Sequence, residues 1–423
     1  MSFGLYISVP FCRTKCSFCN FASDVFSKSA YENYVARLLE DIGNSGQLMS
    51  DHGPSGGGSA PDHTADSIYL GGGTPSILDA SQLLRIFAAV RDQFAIASDA
   101  EITVECAPGT LTDTLIETLL QCGVNRVSLG VQSFVDREAQ AVGRLHNRAT
   151  VLEEIVRLRE AGIGNINVDL IAGLPHQTAE SWAYSVSEAI ATSVPHVSVY
   201  MLEVDDESRL GRELIAGGVR YHAHSVPDDD MTADFYQQAC EMLFDAGIEQ
   251  YEISNFARAE GPQSNQSRHN LKYWTRQPYL GFGVDAHSML ATDRHAEDCE
   301  EDRHEAIRFA TPDSLDAYMN RAPLTVTPLS TEAAIEEKFF LGLRLNQGID
   351  LNLMDMNCHP EGSEGPAAAR ESAIEQSVQD GLLERQGTIL RLTARGRLLS
   401  NEVFARFLTE EKKKVGTGHV NPR

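Results

Sequence analysis

Positive charge is scarce in this chain. Lys and Arg total 35 against 60 Asp and Glu, which leaves a net charge of −25 over 423 residues. So acidic a surface repels polyphosphate backbones, and nucleic acid is not an expected partner. The one dense basic run, Lys412-Lys413-Lys414, reads as a solvated helix end. Long apolar runs are missing too, and none nears the roughly 20 residues of a membrane-spanning helix. Met1–Pro10 reads as a strand without a basic n-region, so no signal peptide is expected and a cytoplasmic location follows. Cysteine, eight in all, is too sparse for a disulfide scaffold.

What is present is ordinary globular material, 42% hydrophobic and 22% charged, enough for two or three domains. From residue 4 to about 255, strand-like runs alternate with amphipathic helical stretches. Strands are predicted at Leu5–Val9, Ser67–Leu70, Glu101–Glu105, Arg126–Val131, Asn165–Ile171, His196–Leu202 and Glu249–Ile253. Several intervening helices end on Gly, as at Gly123, Gly162 and Gly247. Repeated β–α units imply a parallel sheet with right-handed crossovers, hence an α/β fold built as a partial (β/α) barrel. This core is expected to span 1–290, interrupted at 43–66 by a Gly/Ser/Pro-rich flexible insertion. An irregular connection is expected at 291–330 and a small helical, winged-helix-like domain at 331–412. Residues 413–423 read as a disordered tail.

Three cysteines are bunched: Cys12-Arg-Thr-Lys-Cys16-Ser-Phe-Cys19, directly after the first strand. A C-x3-C-x2-C loop can hold three corners of an iron–sulfur cubane and leave the fourth iron open. Zinc is the rival, but structural zinc takes four ligands, and no second cysteine pair exists here. Gly71-Gly72-Gly73-Thr74-Pro75 follows the second strand, where glycines allow close backbone approach to a ligand. Glu105, Gln132 and Asp169 close the third, fourth and fifth strands, the end at which barrels of this class place their sites.

These motifs resemble the radical S-adenosylmethionine (SAM) superfamily. More narrowly they resemble oxygen-independent coproporphyrinogen III oxidases and the HemW-type haem chaperones. The resemblance rests on Tyr6–Cys12, the cysteine loop, Gly71–Ser76, Glu105–Thr110, Ser128–Phe134, Arg144, Asn167–Pro175, Gly281–Ser288 and Leu392–Phe404. It implies a [4Fe-4S] cluster on Cys12, Cys16 and Cys19, with SAM on the open iron. It also implies SAM contacts from Tyr6, Gly72 and Glu105. Gly73, Thr74, Gln132, Arg144 and Asp169 match residues around a second SAM in the oxidases. Such a protein is able in principle to cleave SAM reductively, given an electron donor.

Within that resemblance, two features point to the chaperone branch. Phe21 stands where the oxidases carry a further cysteine, and the first strand begins at residue 4 without the oxidases' N-terminal extension. The branch also has an H-N-x-x-Y-W motif, here His269-Asn270-Leu-Lys-Tyr273-Trp274, which makes these four residues the expected haem contacts. The resemblance therefore implies haem as bound cargo and membrane-bound respiratory haemoproteins as recipients. The alternative is a coproporphyrinogen oxidase of porphyrin biosynthesis. An RNA-modifying radical-SAM enzyme would want a basic domain that this chain lacks.

Overall fold

Strand β1 (Ser2–Val9) is buried at every residue but the first, as a strand covered on both faces must be. In the computed structural model, which describes residues 2–52, 64–259, 265–291, 304–354 and 365–408, it stands among parallel neighbours. β2 (Thr64–Gly72), β3 (Ala95–Cys106), β4 (Arg126–Gln132), β5 (Asn165–Ala172) and β6 (His196–Met201) follow it in chain order, each parallel to the last. Helices return the chain between most of them, and their starts are legible chemically. Asp79 and Gln82 form a reciprocal capping box on helix Ala80–Gln93. Thr112, Asn147 and Thr178 cap the helices that follow β3, β4 and β5.

After β6 the parallel repeat ends. β7 (Ile248–Gln250) and β8 (Asn255–Arg258) form a hairpin whose second strand lies antiparallel to β6. The expected seventh strand, Glu249–Ile253, is thus cut short at Gln250, and a connection of four residues turns the chain back into β8, since so short a link can turn a hairpin but cannot cross over. On the opposite edge β9 (Tyr279–Phe282) lies parallel to β1. β10 (His287–Ala291), β11 (His304–Ala310) and β12 (Thr325–Ser330) extend that edge in antiparallel fashion. Among the described residues the twelve strands form one sheet in the order β12-β11-β10-β9-β1-β2-β3-β4-β5-β6-β8-β7, with no pairing between its two ends. The barrel is therefore open.

Two expectations are corrected here. Residues 304–330 are not an irregular connection but carry β11, β12 and the helix Leu315–Met319. These strands are half-exposed or exposed along most of their length, so they lack the apolar alternation that marks the others. Within the expected insertion 43–66, residues 45–52 are helical and 64–66 open β2, while 53–63 lie outside the described residues. The expected tail 413–423 also lies outside them.

The carboxy-terminal unit has its own apolar core around Ile335, Phe339, Ile374, Leu390 and Val403. Helices Thr331–Gly342 and Gly365–Gln379 pack with β13 (Ile349–Asp350), β14 (Leu383–Gln386) and β15 (Ile389–Leu392), ordered β13-β15-β14. Thr393 caps the following helix through Gly396 N at 2.9 Å. Arg344 ties this unit to the sheet. Its guanidinium lies 4.3 Å from the Trp274 ring centroid and 3.8 Å from the buried Glu252.

Candidate functional site

The cysteine loop leaves the C-terminal end of β1 and is held by backbone bonds on both sides. Cys12 N donates to Asp24 O at 3.0 Å, and Ser17 N to Val142 O at 3.1 Å. Thr14 Oγ1 donates to Gly143 O at 2.9 Å. From the far side, Leu210 N donates to Ser17 O at 2.8 Å and Arg209 to Lys15 O at 3.1 Å. Such a loop is preorganised by elements far apart in sequence. Its thiols receive hydrogen bonds as thiolates do: Thr74 Oγ1 stands 3.6 Å from Cys12 Sγ and Arg144 Nη1 3.6 Å from Cys16 Sγ. Burial pushes the Cys12 and Cys19 thiols up, and each feels the neighbouring thiols as well.

The donor set is sulfur alone. Among the described residues no three Cys, His, Asp or Glu side chains converge on a single ion. Three thiols fall one ligand short of the four that structural zinc takes and suit the three protein-held corners of a cubane. Phe21 is exposed and offers no further thiol.

The glycine turn after β2 has a sharper role than ligand approach. Gly73 N donates to Val9 O at 2.8 Å and Thr74 N to Phe11 O at 2.7 Å, so the turn lies against the root of the cysteine loop. A Cβ on Gly73 would meet Phe11 O at 2.6 Å and Val9 O at 2.8 Å. Gly72 has φ +100°, a region closed to most side chains.

Glu105, one residue before the end of β3, accepts from Gly72 N at 3.1 Å and from the Tyr69 hydroxyl at 2.9 Å. Part of its surface stays open, yet burial pushes its carboxyl up to about 7 against the pull of Tyr69, with Asp169 adding to the rise. A carboxylate kept short of charge partners is a ready acceptor for an ammonium group. Tyr6 is buried beside it, its ring 6.1 Å from Tyr69.

Gln132 and Arg144 complete the rim beside β4. A register shift between Gly130 and Gln132, with φ +69° at Gln132, re-aims that side chain. Arg144 Nη2 donates to Gly130 O, and a Cβ at Gly130 would stand 3.0 Å from it. Asp169 lies within β5 rather than at its end. It accepts from Ser128 at 3.0 Å and Asn167 at 2.8 Å, while burial pushes its carboxyl up. Asn167 is bonded in turn to His196 at 2.6 Å and Ser198 at 3.1 Å. Sequence reading missed this polar chain. Its signal was the alternation Asn165-Ile-Asn167-Val-Asp169 and His196-Val-Ser198, which sets polar groups on one face.

The expected haem motif is placed otherwise. His269 is fully buried, with Nδ1 3.0 Å from Ser67 Oγ and Nε2 2.9 Å from the Tyr273 hydroxyl. Burial, then Lys272, holds its pKa down to about 3. With both nitrogens engaged, His269 presents no free lone pair to an iron. Tyr273 and Trp274 are buried in a cluster shared with Phe340, Leu341 and Leu345 of the carboxy-terminal unit. Asn270 N is bonded to the Ser267 cap. In this arrangement the motif packs the core between the sheet and the carboxy-terminal unit. Of the other histidines, His146 is buried against Val131 O, His287 is exposed at the start of β10, and Cys358-His359 lies outside the described residues.

Comparison with known proteins accords with the geometry. A family model described as the radical SAM superfamily matches residues 6–189, and the HemN C-terminal domain matches 329–399. The chain is 31% identical to the heme chaperone HemW of Lactococcus lactis over 96% of its own length and 97% of the relative's. Against the heme chaperone HemW of Bacillus subtilis the figures are 32%, 96% and 99%. The solved coproporphyrinogen III oxidase HemN of Escherichia coli shares the fold, with a TM-score of 0.77 at 21% identity over 96% of this chain and 90% of that one. A radical SAM protein takes a [4Fe-4S] cluster and SAM, and the three-thiol loop fits that pair. On its sequence along nearly its full length, the chain belongs to the radical SAM family of the heme chaperone HemW.

Proposed function

We propose that this protein binds haem and hands it to membrane-bound respiratory haemoproteins, working in the cytoplasm with a cluster fed by an electron donor. The observation that carries the reading is the full-length likeness to heme chaperones, whereas the oxidase shares the fold at much lower identity. Phe21 in place of a further thiol supports the same branch.

In this reading Cys12, Cys16 and Cys19 hold the cluster, Thr74 hydrogen-bonds the Cys12 thiolate and the Arg144 cation offsets charge at Cys16. When bound, the cluster and SAM supply reductive cleavage of SAM. Tyr6, Gly72 and Glu105 line the amino-acid end of SAM, Glu105 accepting from its ammonium. Gly73, Gln132 and Asp169 bound the remainder of the cleft, with Asp169 held in place by Ser128 and Asn167.

The test is an anaerobic assay of reconstituted protein with haem and with coproporphyrinogen III, side by side. About one haem bound per chain, with coproporphyrinogen III unconverted in the presence of SAM and reductant, is expected. Robust protoporphyrinogen IX formation would transfer the protein to the oxidase branch.

A further inference from the structure

Three imidazoles stand together beyond the C-terminal end of β5, outside the cluster and SAM residues. The ring centroids of His176 and His222 are 4.8 Å apart, and those of His222 and His224 are 6.3 Å apart. His224 is exposed and the other two are half-buried. His176 N donates to Ser225 O at 2.8 Å, joining the β5 loop to the turn Ala223–Ser225. His176 and His222 both adopt the left-handed region, with φ of 70° and 59°. For a residue other than glycine this costs about 1 kcal/mol or more and persists only where the surroundings impose it. At His222 it is Glu213 that imposes it: its carboxylate accepts from Tyr221 N at 2.8 Å and Ala223 N at 3.1 Å, on either side of His222.

Two further chemistries meet the imidazoles. Arg137 Nη2 lies 3.3 Å from His176 Nδ1. Burial, then Arg137 and the two other histidines, hold His176 below the usual imidazole range, and Arg137, which can only donate, takes its Nδ1 lone pair, so the imidazoles offered to an iron are those of His222 and His224. The helix Arg209–Ala216, just before the loop, leaves Leu214 57% and Ile215 68% exposed. Its other side packs on the cysteine loop through Arg209 and Leu210. Glu213 of the same helix holds the His222 turn, so this apolar surface and the imidazoles belong to one segment.

We propose that His176, His222 and His224, with Arg137, Leu214 and Ile215, form the docking surface for the haem cargo. This rests on the haem-binding reading above. Haem asks for an imidazole on iron, apolar contact for its macrocycle and cations for its propionates, and this segment supplies all three. His196 and His269 are buried with both nitrogens bonded, and His146 is buried as well. Through the helix Arg209–Ala216, cargo on this surface lies one element away from the cluster loop.

The experiment titrates anaerobic full-length protein with haem and, separately, with iron-free protoporphyrin IX. In one variant His176, His222 and His224 all become Asn, which removes the imidazoles and tolerates left-handed backbone. In the second, Leu214→Asp and Ile215→Asp are combined. Cluster content checks that both variants fold. The histidine variant is expected to lose haem affinity by about tenfold or more, with a shifted Soret band, and to keep protoporphyrin binding (tenfold being ~1.4 kcal/mol). The Leu/Ile variant is expected to weaken both ligands. Unchanged haem affinity and an unshifted Soret band in the histidine variant would overturn the site, whatever the other variant does. Failure of the unaltered protein to bind haem would instead overturn the function on which the site rests.

Discussion

The Tyr69 hydroxyl donates to Glu105 Oε1 at 2.9 Å, and it does so within a carboxyl whose burial pushes its pKa up to about 7. At pH 6 most of the free protein therefore holds a proton at Glu105. SAM's ammonium favours the carboxylate, so binding expels that proton. Anaerobic calorimetry should find SAM affinity rising with pH up to and through about 7 and levelling above it. Glu105→Ala should cost roughly 10- to 150-fold in affinity, the worth of a charge-assisted hydrogen bond of about 1.5–3 kcal/mol, and leave the cluster intact. An affinity flat between pH 6 and 8 would remove Glu105 from the SAM site.

The same shift has a stability consequence. A carboxyl whose folded pKa is raised stabilises the fold fully below its unfolded value, near 4.3, and loses that contribution as pH rises through the folded value. Glu105→Gln should raise the denaturant midpoint of cluster-free protein at pH 8 and change it far less at pH 5. Equal effects at the two pH values would contradict the buried-carboxyl account.

Gly73→Ala pushes a methyl to 2.6 Å from Phe11 O, backbone that cannot swing away. A loss of about 1–3 kcal/mol and impaired iron uptake are expected. Gly164→Ala, with nothing within 4 Å of its Cβ, is the control and should behave like the unaltered chain. Urea melts and iron assays of the pair read the difference.

His269→Ala should destabilise the protein, because Ser67 and Tyr273 each lose a buried partner worth about 1–3 kcal/mol. Its haem spectrum should stay as it was. A shifted Soret band without loss of stability would return the haem to the His269 motif.

How much of this was legible beforehand depends on chain distance. The cysteine loop, the glycine turn and the six parallel strands are local patterns, and each was readable from spacing or alternation. Edge strands β11 and β12 were not, because exposed strands carry no apolar period. The packing around His269 was hidden for another reason. Its aromatic neighbours suggested a porphyrin wall, but Tyr273 and Trp274 face a core completed by Phe340 and Leu345, some seventy residues on. The docking of Leu210 on Ser17 and the pairing of His176 with His222 likewise depend on folded contacts that no window of sequence contains.

The central claim is a cluster on three thiols, and counting iron and acid-labile sulfide in anaerobically reconstituted protein tests it most directly. About four of each per chain are expected, falling to near zero when Cys12, Cys16 and Cys19 are replaced by Ala. Cys122→Ala, altering a buried core thiol, should leave the count unchanged. Stoichiometric zinc in place of iron, or a cluster that survives loss of the three thiols, would contradict the account.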